Sequence, residues 1–382
     1  MSDVPESPRP VSRFGFQWGH YRYEVHGPVS SHPDYRSPLL ATRQLLLPGL
    51  SPDVGQSQLV ELTALTEEYG PAALQRCIEQ VRRAGFIRHP NAAGVWGAVF
   101  DEKTPYILME HLRGCSLLAL MEAALSLGRR LSPAFVAYVG VELADVLEYA
   151  HRKKDEEEQP LHVVHRAVGP MWIRVGVTGR IQLTHFGVAY SKLLDRLHAP
   201  GQVLRADAAY AAPELLRGFF ENEGGGADPL TPPSLDGRAD VFSLGLVLLE
   251  LLLACYARNA RELLWRDLKA RFPPSVHNEA PALVKLETLA NRVLHFGPME
   301  VLRAADEVPE PLRQLLSRAL HEEPAERPSP GEMHNALTCY LMDVKPPYGA
   351  HELAQEAAGV LMEAADLGRP APQPGAVPDN LH

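Results

Sequence analysis

Cysteine is scarce and scattered in this chain: four among 382 residues, at Cys77, Cys115, Cys255 and Cys339, with no C-x-x-C pair and no Cys/His cluster. Zinc fingers, zinc ribbons and small disulfide-framed folds are thereby excluded, and four reduced thiols in a cytoplasmic protein are expected. A long hydrophobic run is also missing. The most apolar segment, 241–255, carries Glu250 and falls short of the ~20 residues that span a bilayer, so it reads as a buried helix and no membrane partner is expected. The opening residues, MSDVPESPRPVSRFGF, lack the apolar stretch of a secretory signal. There is no basic excess either. The net charge is −10 and the pI about 5.9, which leaves no electrostatic footprint for nucleic acid.

What is present is ample apolar material, 46% of residues, enough for a sizeable core in two or three average domains or one larger bilobal unit. The 34 prolines imply many loops and extended ends. Residues 1–19 are Pro- and Ser-rich and are expected to be disordered. Broken alternation over 21–47 predicts short strands, and the apolar spacing of Leu74, Ile78, Val81 and Ala84 predicts a helix ended by His89-Pro90-Asn91. Two more strands are predicted over 95–100 and 106–109, then helices over 117–127 and 133–152. A Gly/Pro-rich loop at 219–235 precedes a helix over 238–254, and helical patterns continue to about 342. Beyond Lys345-Pro346-Pro347, residues 351–367 form one last amphipathic pattern, with Leu353, Ala357, Val360, Leu361 and Ala364 on one face. A Pro-rich tail ends the chain. Sheet-rich becomes helix-rich, so the expected class is α+β.

Several motifs then occur in one order: RHPN at 88–91, YILMEHLRGCSL at 106–117, HRAVGPMW at 165–172 with THFG at 184–187, AYAAPELLRG at 209–218, DGRADVFSLGLVLLELL at 236–252 and PAERPSP at 324–330. Over roughly residues 20–342 the chain resembles bacterial serine/threonine protein kinases of the eukaryotic-like type. The resemblance implies a bilobal kinase-like fold, with a small antiparallel-sheet lobe over 20–110, a mainly helical lobe over 113–342, and a C-terminal helix and tail over 343–382. It makes Met109 a gatekeeper and Glu110 to Leu112 the hinge between lobes. It gives Asp240 the task of capping the catalytic-loop backbone and pairs Glu214 with Arg327. Arg166, Phe186 and Gly187 are retained from the parts that organise the activation segment and hydrophobic spine.

The same resemblance exposes what has been replaced. Kinases carry H-R-D-L-x-x-x-N and D-F-G, whose Asp is the catalytic base and whose Asn and second Asp hold Mg²⁺. Here those positions are Ala167, Trp172 and His185, and Gly169 stands where a phosphate-contacting Lys is common. Ala has no acceptor for a proton, Trp has no oxygen for a metal, and His offers nitrogen where Mg²⁺ prefers oxygen. No metal is therefore expected, and packing roles are expected for His185 and Trp172, which would fill the vacated space. In the nucleotide-cradling loop Gly27 stands alone, while Pro28 and Pro33 lack N–H donors. The strand Lys aligns with Arg43 and its Glu partner with Gln80, beside Glu79. An Arg43–Glu79 salt bridge, or one to another acid, is expected, and Gly27, Arg43, Met109, Glu110 and Leu112 would form a vestigial nucleotide site. The activation segment offers Tyr190 and Ser191 and has Asp207 where a Thr is frequent.

The reading that follows is a pseudokinase, not an enzyme: a signalling scaffold or allosteric regulator that binds a protein partner, such as an active kinase or another signalling protein. One alternative is an atypical active serine/threonine kinase using Asp195 or Asp207 to hold metal. The other is a nucleotide-sensing module that binds ATP without Mg²⁺ through its hinge backbone. The 219–235 insertion and the last helix with its tail are the candidate docking surfaces.

Overall fold

A computed structural model of the chain describes residues 15–29, 38–46, 57–64, 75, 78, 79, 81–101, 104–161, 163–186, 210–214, 237–252 and 308–367. Strands β1 (Gly15–Trp18), β2 (Tyr21–Pro28), β3 (Leu39–Leu45), β4 (Ser57–Ala64), β5 (Val95–Asp101) and β6 (Thr104–Glu110) form one sheet in the order β1-β2-β3-β4-β6-β5, every pairing antiparallel. Alternation explains its core: Tyr23, Val25, Ala41, Val60, Leu62, Tyr106 and Leu108 point to one face and pack as a single cluster, with Phe16 stacked on Tyr23. The expectation of disorder over 1–19 is corrected at its end, because Gly15–Trp18 pairs in register with Tyr21–Glu24.

Strand β4, like β1 and the short strands past the hinge, was not assigned from the sequence. Its Glu61 and Thr63 are polar yet buried, on the face opposite Val60 and Leu62 of the sheet core. Inserted between β3 and β6, it moves β3 one place outward in the sheet.

Past the hinge, β7 (Gly114–Ser116) joins β8 (Ile173–Gly176) and β9 (Ile181–Leu183) in a three-stranded sheet. Helix α1 (Leu117–Ser126) begins at Ser116, whose Oγ accepts the Ala119 N–H at 3.1 Å, and α2 (Pro133–His151) begins at Ser132, which accepts from Phe135 at 3.0 Å. Such caps satisfy amides that a helix start leaves without partners. Helix α3 (Arg238–Leu252) is buried nearly all round, as its continuous apolar run requires. Gly140 lets α2 approach α3 and α5 (Pro330–Asp343): a Cβ there would stand 2.6 Å from Leu337 and 2.9 Å from Leu248.

Helix α4 (Glu310–Ala319) buries Leu312, Leu315 and Leu316. The last helix, α6 (Ala350–Leu367), buries Leu353, Ala357 and Val360. It is held to its own lobe by Glu356, which accepts from the Ser132 amide at 2.6 Å, its hydroxyl at 2.7 Å and Tyr348 at 2.7 Å, and by Arg129–Glu363 at 3.0 Å. The apolar face of this helix thus packs on its own lobe, and the tail at 368–382 lies outside the described residues. A sheet lobe and a helical lobe joined after β6 make the bilobal α+β architecture. No helix among the described residues is long and apolar enough to cross a membrane.

Candidate active-site cleft

The loop at 165–172 is anchored from below. Asp240, in the first turn of α3 and fully buried, accepts the His165 amide at 2.8 Å, the Arg166 amide at 2.6 Å and His151 Nε2 at 2.9 Å. Burial alone would raise its pKa, but the hydrogen bond and charge of His151, with His165 beside it, outweigh burial and hold the carboxyl below its ordinary value. His165 donates from Nε2 to the Thr184 carbonyl at 2.8 Å and meets the Phe186 ring edge-on. Complete burial pushes its pKa down, opposed by the charge of Asp240. The network joins two turns in which Arg166 and His185 hold φ of 66° and 65°. That conformation costs a non-glycine residue roughly 1–2 kcal/mol and persists where its surroundings over-determine it.

His185 is locked as a structural residue. The Thr184 hydroxyl donates to the Trp172 carbonyl at 2.9 Å and accepts from His185 Nδ1 at 2.8 Å, which leaves Nε2 to accept from the Thr63 hydroxyl at 3.2 Å. The buried Trp172 ring lies 4.3 Å from the imidazole, centroid to centroid. Ala167 is buried, its amide 3.4 Å from His165 Nδ1, and Gly169 faces the Tyr210 ring. A hard divalent cation needs several oxygens. Positions 167, 172 and 185 supply none from their side chains, and among the described residues no group of three or more His, Cys, Asp or Glu is disposed to hold a metal. These residues do not fit Mg²⁺. Asp195, Asp207, Tyr190, Ser191, Gly187, Gln80 and the 219–235 insertion lie outside the described residues.

Arg43 requires a correction. It stands on β3, donates to Gln58 Oε1 at 3.0 Å, and lies over the rings of Tyr21 and Trp96 at 4.6 and 4.4 Å. Glu79 pairs instead with Arg83, at 3.8 Å. The missed strand is the reason: β4, not β3, borders β6 and faces the loop, and the strand residue opposite His185 is Thr63. Gly27 lies at a β2–β3 irregularity with φ 144°. Met109 is buried in the core beneath the hinge. Glu110 accepts the Gly94 amide at 3.1 Å and pairs with Arg180 at 3.6 Å, while Leu112 packs against Gly176. Farther down, Arg327 donates to both oxygens of Glu214 at 2.7 and 2.8 Å.

Sequence reading missed the charged residues at the lobe joint. Glu61 of β4 accepts from His111 Nδ1 at 2.9 Å and from Arg174 Nη2 of β8 at 3.1 and 3.3 Å. Glu61 stands in a segment that the sequence reading gave no element, so it carried no signal before β4 was seen. Beside it a cavity of about 400 Å³ is lined by Thr42, Ser57, Gln58, Leu59, Glu110, His111 and Arg113, within the ~300–1,000 Å³ of small-molecule sites.

The family model of the protein kinase domain matches residues 66–338. The chain is 27% identical to an Aurora kinase of Eremothecium gossypii over 218 residues, covering 56% of this chain and 50% of that one. It is 28% identical over 250 residues to tyrosine-protein kinase MasK of Myxococcus xanthus, covering 63% and 36%. It is 29% identical over 206 residues to serine/threonine-protein kinase PknJ of Mycobacterium tuberculosis, covering 53% and 30%. The chain therefore spans half or less of the length of these relatives, and the likeness is not confined to bacterial serine/threonine kinases. One expectation is overturned. Relatives named as serine/threonine or tyrosine kinases, with a matching kinase-domain model, point to an enzyme and not to a chain without activity. With that model matched over more than half its length, the chain belongs to the protein kinase family.

Proposed function

We propose that this chain is an atypical serine/threonine protein kinase, transferring the γ-phosphoryl group of a nucleoside triphosphate with acids other than those of the family signature. The observation that carries the reading is the anchored loop, in which Asp240 holds the amides of His165 and Arg166 in place within a chain that the kinase-domain model matches. Asp195 and Asp207 of the segment before A-P-E are the acids proposed to bring metal to the phosphates. Turnover is slow on this reading, because a positioned base typically contributes ~10²–10⁴ in rate and Ala167 supplies none. The test is transfer of labelled γ-phosphate to a general protein substrate with Mg²⁺, Mn²⁺ or EDTA. Slow, metal-dependent transfer lost in Asp207→Asn is expected; no transfer above a protein-free blank with either metal overturns it.

A second reading, signalling through protein contact with an active kinase or another signalling protein, is favoured by the buried His185–Trp172–Thr63 packing, which stiffens the joint between the lobes independently of any substrate. Its test is a defined complex with an active kinase domain, measured by sedimentation and weakened by substitutions in the 219–235 segment. Absence of any complex at tens of micromolar overturns it.

A further inference from the structure

Three charged or titratable side chains meet where the sheet lobe, the hinge and the helical lobe come together, and the phosphotransfer reading uses none of them. Glu61 comes from β4, His111 from the hinge and Arg174 from β8; the side chains are 2%, 12% and 10% exposed. Burying a carboxylate and a guanidinium costs several kcal/mol each. Mutual pairing offsets that cost, and the pair joins β4 of the sheet lobe to β8 past the hinge.

Its location follows from register. Leu40 pairs with Glu61 and Thr42 with Leu59, so Glu61 shares the sheet face of Leu59 and Thr42, which line the cavity beside the hinge. His111 lines the same cavity and bonds Glu61. Of the cluster, His111 lines the cavity, and Glu61 and Arg174 join it there through the His111–Glu61 bond. A flat ring reaching for the backbone of residues 110–112 between β4 and β8 meets the Glu61–Arg174 pair, which spans that gap.

We propose that Glu61, Arg174 and His111 form an interlobe latch that closes the inner end of the hinge cavity, so that a purine nucleotide binds only when the ion pair opens. The proposal rests on the reading of this cleft as a nucleotide site. Apparent affinity falls by the fraction of molecules in which the latch is open, and removing both charges makes that fraction large. Removing them together is chosen because replacing a whole buried pair by apolar groups is often neutral or stabilising, whereas removing one partner strands the other.

The experiment is calorimetric titration of ADP, in EDTA, into the full chain and into Glu61→Ala/Arg174→Leu. Metal-free ADP isolates purine contacts from phosphotransfer, so failure of the kinase assay and failure of the latch are read separately. The double variant is expected to bind ADP about tenfold tighter or more than the unmodified chain. Equal affinities, or weaker binding by a variant whose circular dichroism and melt show it folded, overturn the latch. A second titration needs no variant: adenosine is expected to give no binding to the unmodified chain below about 1 mM, and a micromolar constant there overturns the latch by itself.

Discussion

Arg327 offers a quantitative test of what locks the helical lobe. Its side chain is fully buried and donates to His321 O at 2.7 Å, Glu322 O at 2.9 Å, Arg238 O at 3.1 Å and both oxygens of Glu214, while its guanidinium lies 4.8 Å over the Phe242 ring. Arg327→Met keeps the volume and strips every donor that reaches the three carbonyls; Glu214, 22% exposed, can turn to water. Breaking a buried pair from this side costs about 3–5 kcal/mol. Glu214→Gln is milder. It weakens two charge-assisted bonds, worth about 1–3 kcal/mol in all, and leaves the guanidinium on its carbonyls. Arg327→Lys recovers little, since three rotating donors cannot reproduce a planar fork. Urea unfolding followed by tryptophan fluorescence measures the difference. Against a total stability of about 5–15 kcal/mol, the Arg327→Met loss is plain. A cost below about 1 kcal/mol for Arg327→Met, or equal costs for Arg327→Met and Glu214→Gln, refutes the assignment of Arg327 as the hub of this network.

His165 is held neutral by burial, its pKa below the ordinary value; its contribution to stability is full above the unfolded pKa of about 6.5 and is lost as pH falls toward the folded value. The urea midpoint should therefore decline from about pH 6.5 downward, and NMR titration of the His165 ring at or above that pH would contradict this. Asp240, held low by His151, adds a second loss below about pH 4, and Asp240→Asn, which turns an amide N–H toward a donor, should remove both that component and about 2–4 kcal/mol. Ser329→Ala breaks the capping box that Ser329 and Glu332 form at the start of α5 and should cost about 1 kcal/mol; no change in the thermal midpoint would show that the cap is dispensable. Gly140→Ala places a methyl 2.6 Å from a Leu337 methyl and 2.9 Å from one of Leu248 and should cost about 1–3 kcal/mol by overpacking, with a stabilised variant as the contrary result.

The helices and the strands β2, β3, β5 and β6 were legible because their signals are local. The apolar spacing of 133–152 and 238–254 predicts α2 and α3 nearly to the residue, ending at His151 and Leu252, and Pro133 after Ser132 marks a start that the structure uses. The motifs place Asp240 near the loop it caps, and Arg327 near Glu214, across 74–113 residues of chain, because the spacing of separate motifs carries long-range information that periodicity does not. The candidate site was less legible. SQLVELTA sets Val60 and Leu62 against Glu61 and Thr63 in strict alternation, but only the tertiary structure shows that its polar face is buried against the other lobe; with the strand unassigned, Arg43 took a place that belongs to β4.

By itself the sequence determined the α+β class, the passage from a sheet-rich to a helix-rich half, and the loop with Ala167, Trp172 and His185 in place of acids. Only the tertiary structure decided which strand borders the cleft, and that Glu61, His111 and Arg174, 50 and 113 residues apart from the first, meet as one buried cluster. The physical reason is that a buried charge is tolerable only beside its partners, and no local pattern records partners supplied by another strand and another lobe.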